Sequence, residues 1–444
     1  MFFLSRPFLF IYLMFMLAGC SHEIKKTALP VEKEISLPQD HERLEGMLEV
    51  IDEATEELPD LPVFKLTMKK RTIAMQVLLF QSENLNELEE RIWSLKKAGF
   101  NTLIVRVFQN KGDRHYRFAR KGSETGVYFK TDHAPVVDDI LGQVAEISHR
   151  NGIDIFAWVT TRYADYGVED KPGWQAVSYD LKSKGFTKAK GLNLFNRDVK
   201  NHLLSLYRDL ARYDIDGVLF QDDLVLRHNE GFSKDARQGF ASYGGKMPDP
   251  EKFYKGIYEG SDGKYRASSY GDEFWQWCKW KNASLLSVAR EIKNEMKMIN
   301  PDLKFAINFM YEAPLSPRNA LAWLSQDLEA AVKADFDLYA VMAYHRQISK
   351  ELQLEKEELD KVMGQIVENT LNTVGDADKT LIKLQIADWE TGKIIPIQEI
   401  KRILEIIKKK GGSSIAFVPY RREFDYSKFS YLFNPPVRIS ANKN

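Results

Sequence analysis

The chain of 444 residues carries 63 Lys and Arg residues against 63 Asp and Glu residues, so its formal net charge is zero. This balance lacks the basic excess of nucleic-acid-binding proteins, and we expect no nucleic-acid partner. Two cysteines are too few for a disulfide framework, so the stability of the chain has to come from a hydrophobic core.

Residues 1–20 are typical of a lipoprotein export signal. Arg6 precedes an apolar run that ends at Leu17-Ala18-Gly19-Cys20, and this run is too short to span a bilayer. Small residues ahead of Cys20 favour cleavage before it and lipidation of its thiol, whereas an ordinary secretory signal is the alternative. The residue after Cys20 is Ser21 and not an Asp, which favours the outer membrane. We therefore predict an outer-membrane lipoprotein that faces the periplasm and is anchored at Cys20.

The next segment, residues 21–67, is charged and interrupted by four prolines, which predicts a flexible tether. From residue 68 to residue 436, apolar strand-like runs alternate with amphipathic helical runs, and residues 437–444 form a tail. Two clear helices are Leu85–Ala98 and Ile397–Lys410, the second of which is stopped by Gly411-Gly412. The eight predicted strands are Thr72–Phe80, Thr102–Phe108, Ile153–Thr160, Asp216–Asp222, Leu303–Met310, Phe336–Tyr344, Thr380–Asp388 and Ser413–Pro419. Such strict alternation of strands and helices predicts an α/β fold, a single closed (β/α)8 barrel.

The carboxyl ends of barrel strands are the place where such folds carry their chemistry. Aromatic rings there can stack on sugars, and amides and carboxylates can bind their hydroxyl groups. The residues that we expect to bind substrate are Trp158, Tyr163, Gln221, Asn308, Tyr344, His345, Gln385, Trp389 and Tyr420. For His345, a hydrogen-bonded rim or core position is the more common interpretation. Because no residues have metal-ligand spacing, we expect neither a metal nor another cofactor.

Two adjacent acids, Asp222 and Asp223, directly follow the apolar run of the fourth strand. Successive side chains alternate in a strand, so one acid is expected to face the barrel axis while the other braces a loop. A glycosidase needs a carboxylic acid, with a nucleophilic carboxylate about 5 Å away or a base about 6.5 to 9.5 Å away. Capping of a helical turn is the alternative role for this pair. Glu312 and Asp388 are candidates for the second catalytic group, although solvated or ion-paired loop acids are more common.

Several stretches between Arg71 and about Asn434 resemble the carboxyl-terminal hydrolase half of the PgaB family. They are ELEERIWSLKKAGFNTLIVRVFQNKGD, the pair Tyr128-Phe129 followed by HAPVVDDI and DIFAWV, then LYRDLARYDIDGVLFQDD, DLYAVMAY and LQIADW. The resemblance implies endo-cleavage of partially de-N-acetylated poly-β-1,6-N-acetylglucosamine, a biofilm exopolysaccharide. It also implies a role in export of this polymer, with a polymer export or synthesis complex as partner. Asp222 and Asp223 match the two aspartates of the family's fourth strand, which strengthens their assignment as catalytic.

This chain also departs from the family pattern. Gln221 stands in place of a histidine, the acidic first strand is replaced by an uncharged run that includes Leu78, and Lys383 stands where a glutamate is expected. Glutamine cannot titrate as histidine does, and the lost acids remove candidates for the second catalytic group. Two alternatives therefore stay open, a barrel that binds and escorts a polysaccharide without turnover and a hydrolase of another surface glycan. Because only the predicted tether precedes the barrel, we expect no deacetylase activity.

The segment 227–271 is longer than its counterpart in the family and rich in aromatic residues. We expect these residues either to form extra sugar platforms or to pack on one another in a self-contained excursion. They are Phe232, Tyr243, Phe253, Tyr254, Tyr258, Tyr265 and Tyr270. Cys278, which lies beside Trp277 and Trp280, is expected to be a small buried hydrophobic residue.

Overall fold

The computed structural model describes residues 71–120, 122–171, 173–260 and 263–429. The predicted export signal, the lipidation site Cys20, the tether 21–67 and the tail 437–444 lie outside these residues. All eight barrel strands lie inside the predicted range 68–436.

Eight parallel strands close into a barrel, and the predicted (β/α)8 fold is confirmed. The last strand pairs with the first, with Ile73 opposite Ile415, so the sheet has no free edge. Each strand falls within a predicted run, although pairing covers a shorter stretch. The barrel strands are β1 Ile73–Val77, β2 Thr102–Arg106, β3 Asp154–Val159, β4 Gly217–Phe220, β5 Lys304–Met310, β6 Leu338–Met342, β7 Thr380–Gln385 and β8 Ser414–Val418.

Helices cover the outside of the barrel and most of them lie between consecutive strands. Asn84 and Asn196 cap the first and third helices by accepting backbone N–H groups of the first turn. The helices are α1 Leu85–Lys97, α2 Leu141–Arg150, α3 Arg197–Leu210, α4 Lys234–Gly244, α5 Pro250–Phe253, α6 Asp272–Lys297, α7 Glu312–Leu315, α8 Pro317–Leu324, α9 Leu328–Lys333, α10 His345–Leu352, α11 Lys356–Val374 and α12 Ile397–Lys409. Gly411 and Gly412 follow α12 with φ of 108° and 71°, so the predicted glycine stop is confirmed. Among the described helices, none is long and apolar enough to cross a membrane.

Three antiparallel hairpins emerge from the loops and were not predicted. They pair Phe108–Gln109 with Gly126–Val127, Gln175–Asp180 with Gly185–Leu192, and Tyr254–Glu259 with Tyr265–Tyr270. The third hairpin, together with α4 and α5, makes up most of the long segment 227–271. This segment is therefore folded in its own right.

The aromatic residues of segment 227–271 form a second hydrophobic core with α6. Phe232 stacks on Trp277 with ring centroids 5.1 Å apart, and Tyr270 stacks on Phe274 at 4.0 Å. Phe253, Tyr254 and Cys278 are buried in the same cluster, so the predicted burial of this cysteine is confirmed. Most of these rings therefore pack on one another, as expected for a self-contained excursion and not for sugar platforms. Tyr243 and Tyr258 are the exceptions, at 74% and 48% exposure.

Inside the barrel, side-chain size is matched across neighbouring strands. Gly217 on β4 lies against Phe156 on β3, and a Cβ atom at Gly217 would be 2.4 Å from the Phe156 ring and 2.6 Å from the carbonyl oxygen of Lys304. The ring of Phe156 therefore occupies the space that a side chain on β4 would need.

Candidate active site

Three polar side chains meet inside the barrel at its carboxyl end. Lys383 on β7 donates hydrogen bonds to Oε1 of Gln221 at 2.9 Å and to Oδ1 of Asn308 at 3.1 Å. These contacts reach across the barrel from β7 to β5 and the end of β4. Burial lowers the pKa of Lys383 to about 7, although the charge of Asp222 opposes this shift. The interior of the barrel therefore holds a lysine that titrates near neutral pH.

Asp222 follows β4, and its charge acts on this lysine. Burial raises the pKa of the Asp222 carboxyl above its ordinary value, while the Lys383 ammonium and a hydrogen bond from Gln221 act in the opposite direction. The charge of Asp222 also acts on Tyr344, at the end of β6, and adds to the rise that burial causes in the pKa of that phenol. Asp222 keeps part of its surface exposed. It thus lies at the mouth of the barrel, among the ends of β4, β6 and β7.

Asp223 points the other way and holds a loop. Its Oδ2 accepts backbone N–H groups of Thr161 at 2.7 Å and Tyr163 at 3.0 Å, in the loop after β3. The residue is only 3% exposed, and burial raises the pKa of its carboxyl to about 6. The two neighbouring acids are therefore not equivalent, although both lie in the turn after β4, where strand alternation no longer sets their orientation.

The two further candidate acids differ in charge state. Burial, followed by the neighbouring charge of Glu351, raises the pKa of Glu312 at the start of α7 to about 7. Asp388 organises a turn, since its Oδ1 accepts N–H groups of Glu390 at 3.1 Å and Thr391 at 2.8 Å. Burial alone would raise the pKa of Asp388, but these hydrogen bonds and the charge of Arg346 together lower it. Within the described part of the chain, no hydrogen bond or ion pair joins either acid to Asp222.

Some of the predicted sugar-binding residues surround the mouth of the barrel. Trp389 packs against Tyr344 edge to face, with ring centroids 5.3 Å apart, and both belong to an apolar cluster at the strand ends. The other members are Leu78, Val225, Met310, Trp323, Leu324, Met342 and Val418. Trp389, Trp323 and Leu78 are only partly buried. This cluster, which we call the apolar wall, gives the mouth a surface suited to stacking on a sugar ring.

Other predicted sugar-binding residues serve the scaffold instead. Oε1 of Gln385 accepts the N–H of Arg346 at 3.0 Å, and its Nε2 donates to the carbonyl of Ala387, so this amide anchors α10 to the end of β7. His345 is 1% exposed and its Nε2 is 2.9 Å from Oε1 of Glu399 on α12. Both side chains are buried and hold neighbouring helices through these contacts.

Two predicted tyrosines also have partners within the protein. Tyr420 stacks on Tyr426 at a ring distance of 5.6 Å and packs against Phe80. The ring of Tyr163 lies 4.4 Å from the guanidinium of Arg162, and its hydroxyl accepts a hydrogen bond from the same group. Cation–π contact and hydrogen bond together fix Tyr163 in the loop that Asp223 holds.

Residues 79–418 match the family described as Hypothetical glycosyl hydrolase family 13. The chain belongs to this family. A solved structure of the PgaB (BpsB) glycoside hydrolase domain from Bordetella bronchiseptica is similar at 22% identity, with a TM-score of 0.59, and covers 80% of this chain and 95% of that domain. The expected resemblance to the PgaB hydrolase barrel is therefore confirmed.

Other glycoside hydrolases of known structure share the fold at lower identity. The β-galactosidase from the psychrophilic Marinomonas ef1 matches with a TM-score of 0.53 at 9% identity, over 81% of this chain and 58% of that one. The α-L-fucosidase isoenzyme 2 from Paenibacillus thiaminolyticus matches with a TM-score of 0.51 at 12% identity, over 82% of this chain and 49% of that one. Comparison with curated protein sequences finds no match. These similarities establish a glycoside hydrolase fold.

Two inward-facing residues of this family member were not among the predicted site residues. Lys383 was noted as a departure from the family, and Gln76 on β1 was part of an uncharged run. Gln76 is 1% exposed, and neither its Nε2 nor its Oε1 has a hydrogen-bond partner among the described residues. A polar residue inside an apolar strand run was the signal for both, because such a residue either binds something or costs stability.

Two cavities lie away from the barrel mouth. A cavity of about 460 Å³ lies on the flank of the barrel, beside Trp275, Arg318 and Asp327. A second cavity of about 460 Å³ lies near Lys252 and Asp272, outside the barrel. Neither includes Asp222. Across the described ranges, no group of three or more His, Cys, Asp or Glu residues is arranged to hold a metal ion.

Proposed function

We propose that this protein is an endo-acting glycoside hydrolase that cleaves a bacterial exopolysaccharide, with Asp222 as its main catalytic carboxylate. The observation that carries the proposal is the position of Asp222, which is partly exposed at the carboxyl end of β4 beside the apolar wall. Acids at the carboxyl ends of barrel strands are the catalytic groups of this fold. Aromatic side chains next to such an acid can hold a pyranose ring in place.

The pKa values of the acids suggest which of them is the general acid and which is the nucleophile or base. A raised pKa suits the group that protonates the leaving glycosidic oxygen, and burial gives Asp222 this property. The second step needs an ionised carboxylate, which acts as nucleophile or activates a water molecule. Asp388 is the candidate in that charge state because its pKa is lowered, whereas Glu312 is the candidate for a second acid. Asp223 supports the mouth by holding the loop after β3.

For the substrate, the similarity to the PgaB hydrolase domain favours partially de-N-acetylated poly-β-1,6-N-acetylglucosamine. The predicted lipid anchor at Cys20 would keep the barrel at the outer membrane, facing the periplasm. In that position the protein would act during export of the polymer, next to a synthesis or export complex. We expect no deacetylation from this chain.

A second candidate is a barrel that binds and escorts a polysaccharide without cleaving it. One specific observation favours it: the groups that act on Asp222 inside the barrel are the ammonium of Lys383 and the amide of Gln221, and Lys383 is bound to a second amide, Asn308. Within the described chain none of the hydrogen bonds or ion pairs brings a second carboxylate to Asp222. A hydrolase of another surface glycan remains open for the same reason.

The test is hydrolysis of β-1,6-linked glucosamine oligomers of defined acetylation by the purified protein, compared with Asp222→Asn. We expect the variant to release product at least about 100-fold more slowly, because a positioned acid contributes a factor of that order. Asp302→Asn, at an exposed acid away from the barrel mouth, is the matched control and should keep full activity. If the native protein binds oligomers tightly but releases no product, the escort function replaces hydrolysis.

A further inference from the structure

The bottom of the barrel mouth is lined by five buried polar side chains, Gln76, Trp158, Gln221, Asn308 and Lys383, which we call the barrel floor. All are 5% exposed or less. The strand register puts them on one face: Asn308 pairs with Ala340 and Lys383 with Met342, two residues further along β6. Trp158 pairs with Leu219, two residues before Gln221. The barrel floor is thus a single inward-facing polar layer.

Several atoms of the barrel floor have no partner within the protein. Nε2 and Oε1 of Gln76, Nε1 of Trp158 and Nδ2 of Asn308 are buried and make no hydrogen bond with any described residue. Most buried polar atoms in proteins are satisfied, so these unpartnered atoms are available to bind water or a ligand group. The Lys383 ammonium has three N–H groups, two of which bind Gln221 and Asn308. Its third N–H adds a donor to the same layer.

The unused hydrogen-bonding capacity of the barrel floor consists mainly of donors. The Gln76 and Asn308 amides, the Trp158 indole and the Lys383 ammonium all offer N–H groups, whereas Oε1 of Gln76 is the one acceptor among the atoms without partners. A ligand that matches this layer has to present acceptor oxygens. An amine ligand in its charged form presents donors only, and its charge would lie close to the Lys383 ammonium in a buried site, where like charges repel strongly.

We propose that the barrel floor binds a sugar unit through an acyl oxygen, and that it discriminates against a free amine at that position. The acyl oxygen is either the carbonyl of an N-acetyl group or the carboxylate of an acidic sugar. This inference rests on the proposed function, because it takes the barrel mouth as the glycan site and names the sugar unit above its floor. In a partially de-N-acetylated polymer, this unit is an acetylated one.

The charged and titratable groups around Lys383 allow the two kinds of acyl oxygen to be separated by pH. The charge of Asp222 acts on Lys383 from the end of β4, and the same charge acts on Tyr344 at the end of β6. Arg106 on β2 is engaged with Asp113 at 3.0 Å, and β5 contributes the neutral Asn308. Since the pKa of Lys383 is about 7, its ammonium is largely present at pH 6 and largely lost at pH 8.5. Carboxylate binding should therefore weaken across this interval, whereas acetyl binding should change little.

The experiment is a calorimetric or NMR titration of the full chain with three disaccharide probes, which carry N-acetylglucosamine, glucosamine or glucuronate. At pH 6 we expect at least one acyl probe to bind about tenfold or more tightly than glucosamine. A well-formed hydrogen bond to a charged group contributes an affinity difference of this size. Lys383→Met should reduce this ratio to below about twofold. Lys408→Met removes an exposed lysine from α12 and should leave the ratio unchanged.

Equal or tighter binding of glucosamine by the native chain would overturn the inference. A preference for the acyl probe that persists in Lys383→Met would also overturn it, and so would the failure of all three probes to bind. Trp158→Phe removes the indole N–H and replaces the bicyclic ring with a smaller phenyl ring, so it tests the same layer if the lysine variant does not fold. Its affinity for the favoured probe should fall about three- to tenfold, and an unchanged affinity would also contradict the proposal. Binding is measured without turnover, so a negative result here leaves the hydrolysis proposal standing, and the reverse also holds.

Discussion

At the scale of single residues, the main finding is that two neighbouring aspartates have different environments. Asp222 shares the barrel mouth with Lys383 and Tyr344, whereas Asp223 is enclosed by the backbone of the loop after β3. The sequence predicts that the two point in opposite directions, but it does not predict which one faces the mouth. That choice depends on where β4 stops pairing, after Phe220, and pairing is set by the neighbouring strands.

The environment of Asp223 predicts a specific pH dependence of stability. Its folded-state pKa of about 6 lies above the ordinary value of 3.8, so the folded protein holds this proton more tightly than the unfolded chain does. The resulting stabilisation is complete below about pH 4 and is lost as the pH rises through about 6. Between pH 4 and pH 7, ionisation of Asp223 should lower the free energy of unfolding by about 2 to 3 kcal/mol. This decrease should be absent in Asp223→Asn. Urea unfolding at both pH values measures it.

Asp302→Asn, at an exposed acid, should follow the native pH profile and serves as the control. A profile of Asp223→Asn that is parallel to the native one would show that the Asp223 carboxyl is not buried as described.

Other side chains show why residue roles are harder to predict than positions. Gln385 is the last residue of β7 and His345 follows β6, but their partners are the backbone of α10 and Glu399 on α12. Glu399 lies 54 residues after His345, and no local pattern announces such a contact. Lys383 differs from these residues, because a lysine inside the apolar run of β7 can be recognised in the sequence as a candidate site residue.

At the scale of elements, the apolar runs predict the barrel strands well and their ends less well. The first predicted strand extended to Phe80, but pairing stops at Val77, and Leu78 turns into the apolar wall. Hydrophobic patterning reports burial, and burial continues where strand pairing has ended. The hairpin Gln175–Asp180 with Gly185–Leu192 was missed because its residues are largely polar or exposed.

The second hydrophobic core offers a test of the self-contained packing of segment 227–271. Trp277 is fully buried and lies within 5.1 Å, ring to ring, of Phe232, Phe240 and Trp280. Trp277→Ala should lower the free energy of unfolding by about 3 to 5 kcal/mol. The exposed ring of Tyr258 is the matched comparison, and Tyr258→Ala should cost less than about 0.5 kcal/mol.

Chemical denaturation measures both variants, and oligosaccharide binding by the folded fraction should stay within about twofold of the native value. A large loss of sugar affinity in Tyr258→Ala would instead favour the sugar-platform interpretation of this segment.

At the scale of the whole molecule, a closed barrel of the glycoside hydrolase family is combined with a predicted lipid anchor. Alternation of strands and helices was enough to predict the closed fold, because eight such units have few other compact arrangements. The charge of the mouth was less predictable. It depends on which of the inward-facing residues on different strands contact one another, as Lys383 does with Gln221, 162 positions away.

The anchor is tested by Cys20→Ala in the full chain. We expect the native protein in the outer-membrane fraction and labelled, and the variant unlabelled and absent from that fraction, since a polypeptide without acyl chains has no comparable anchor. Fractionation with an immunoblot, together with incorporation of labelled fatty acid, measures both outcomes. Native protein that is soluble and unlabelled would contradict the lipoprotein prediction.

The most direct test of catalysis at Asp222 is the crystal structure of Asp222→Asn with a partially N-acetylated β-1,6-linked glucosamine oligosaccharide bound. We expect a pyranose ring against Tyr344 and Trp389, with a glycosidic oxygen about 2.6 to 3.2 Å from the side chain of residue 222. An oligosaccharide bound elsewhere, for example in the flank cavity beside Trp275 and Arg318, with residue 222 making no sugar contact, would contradict it.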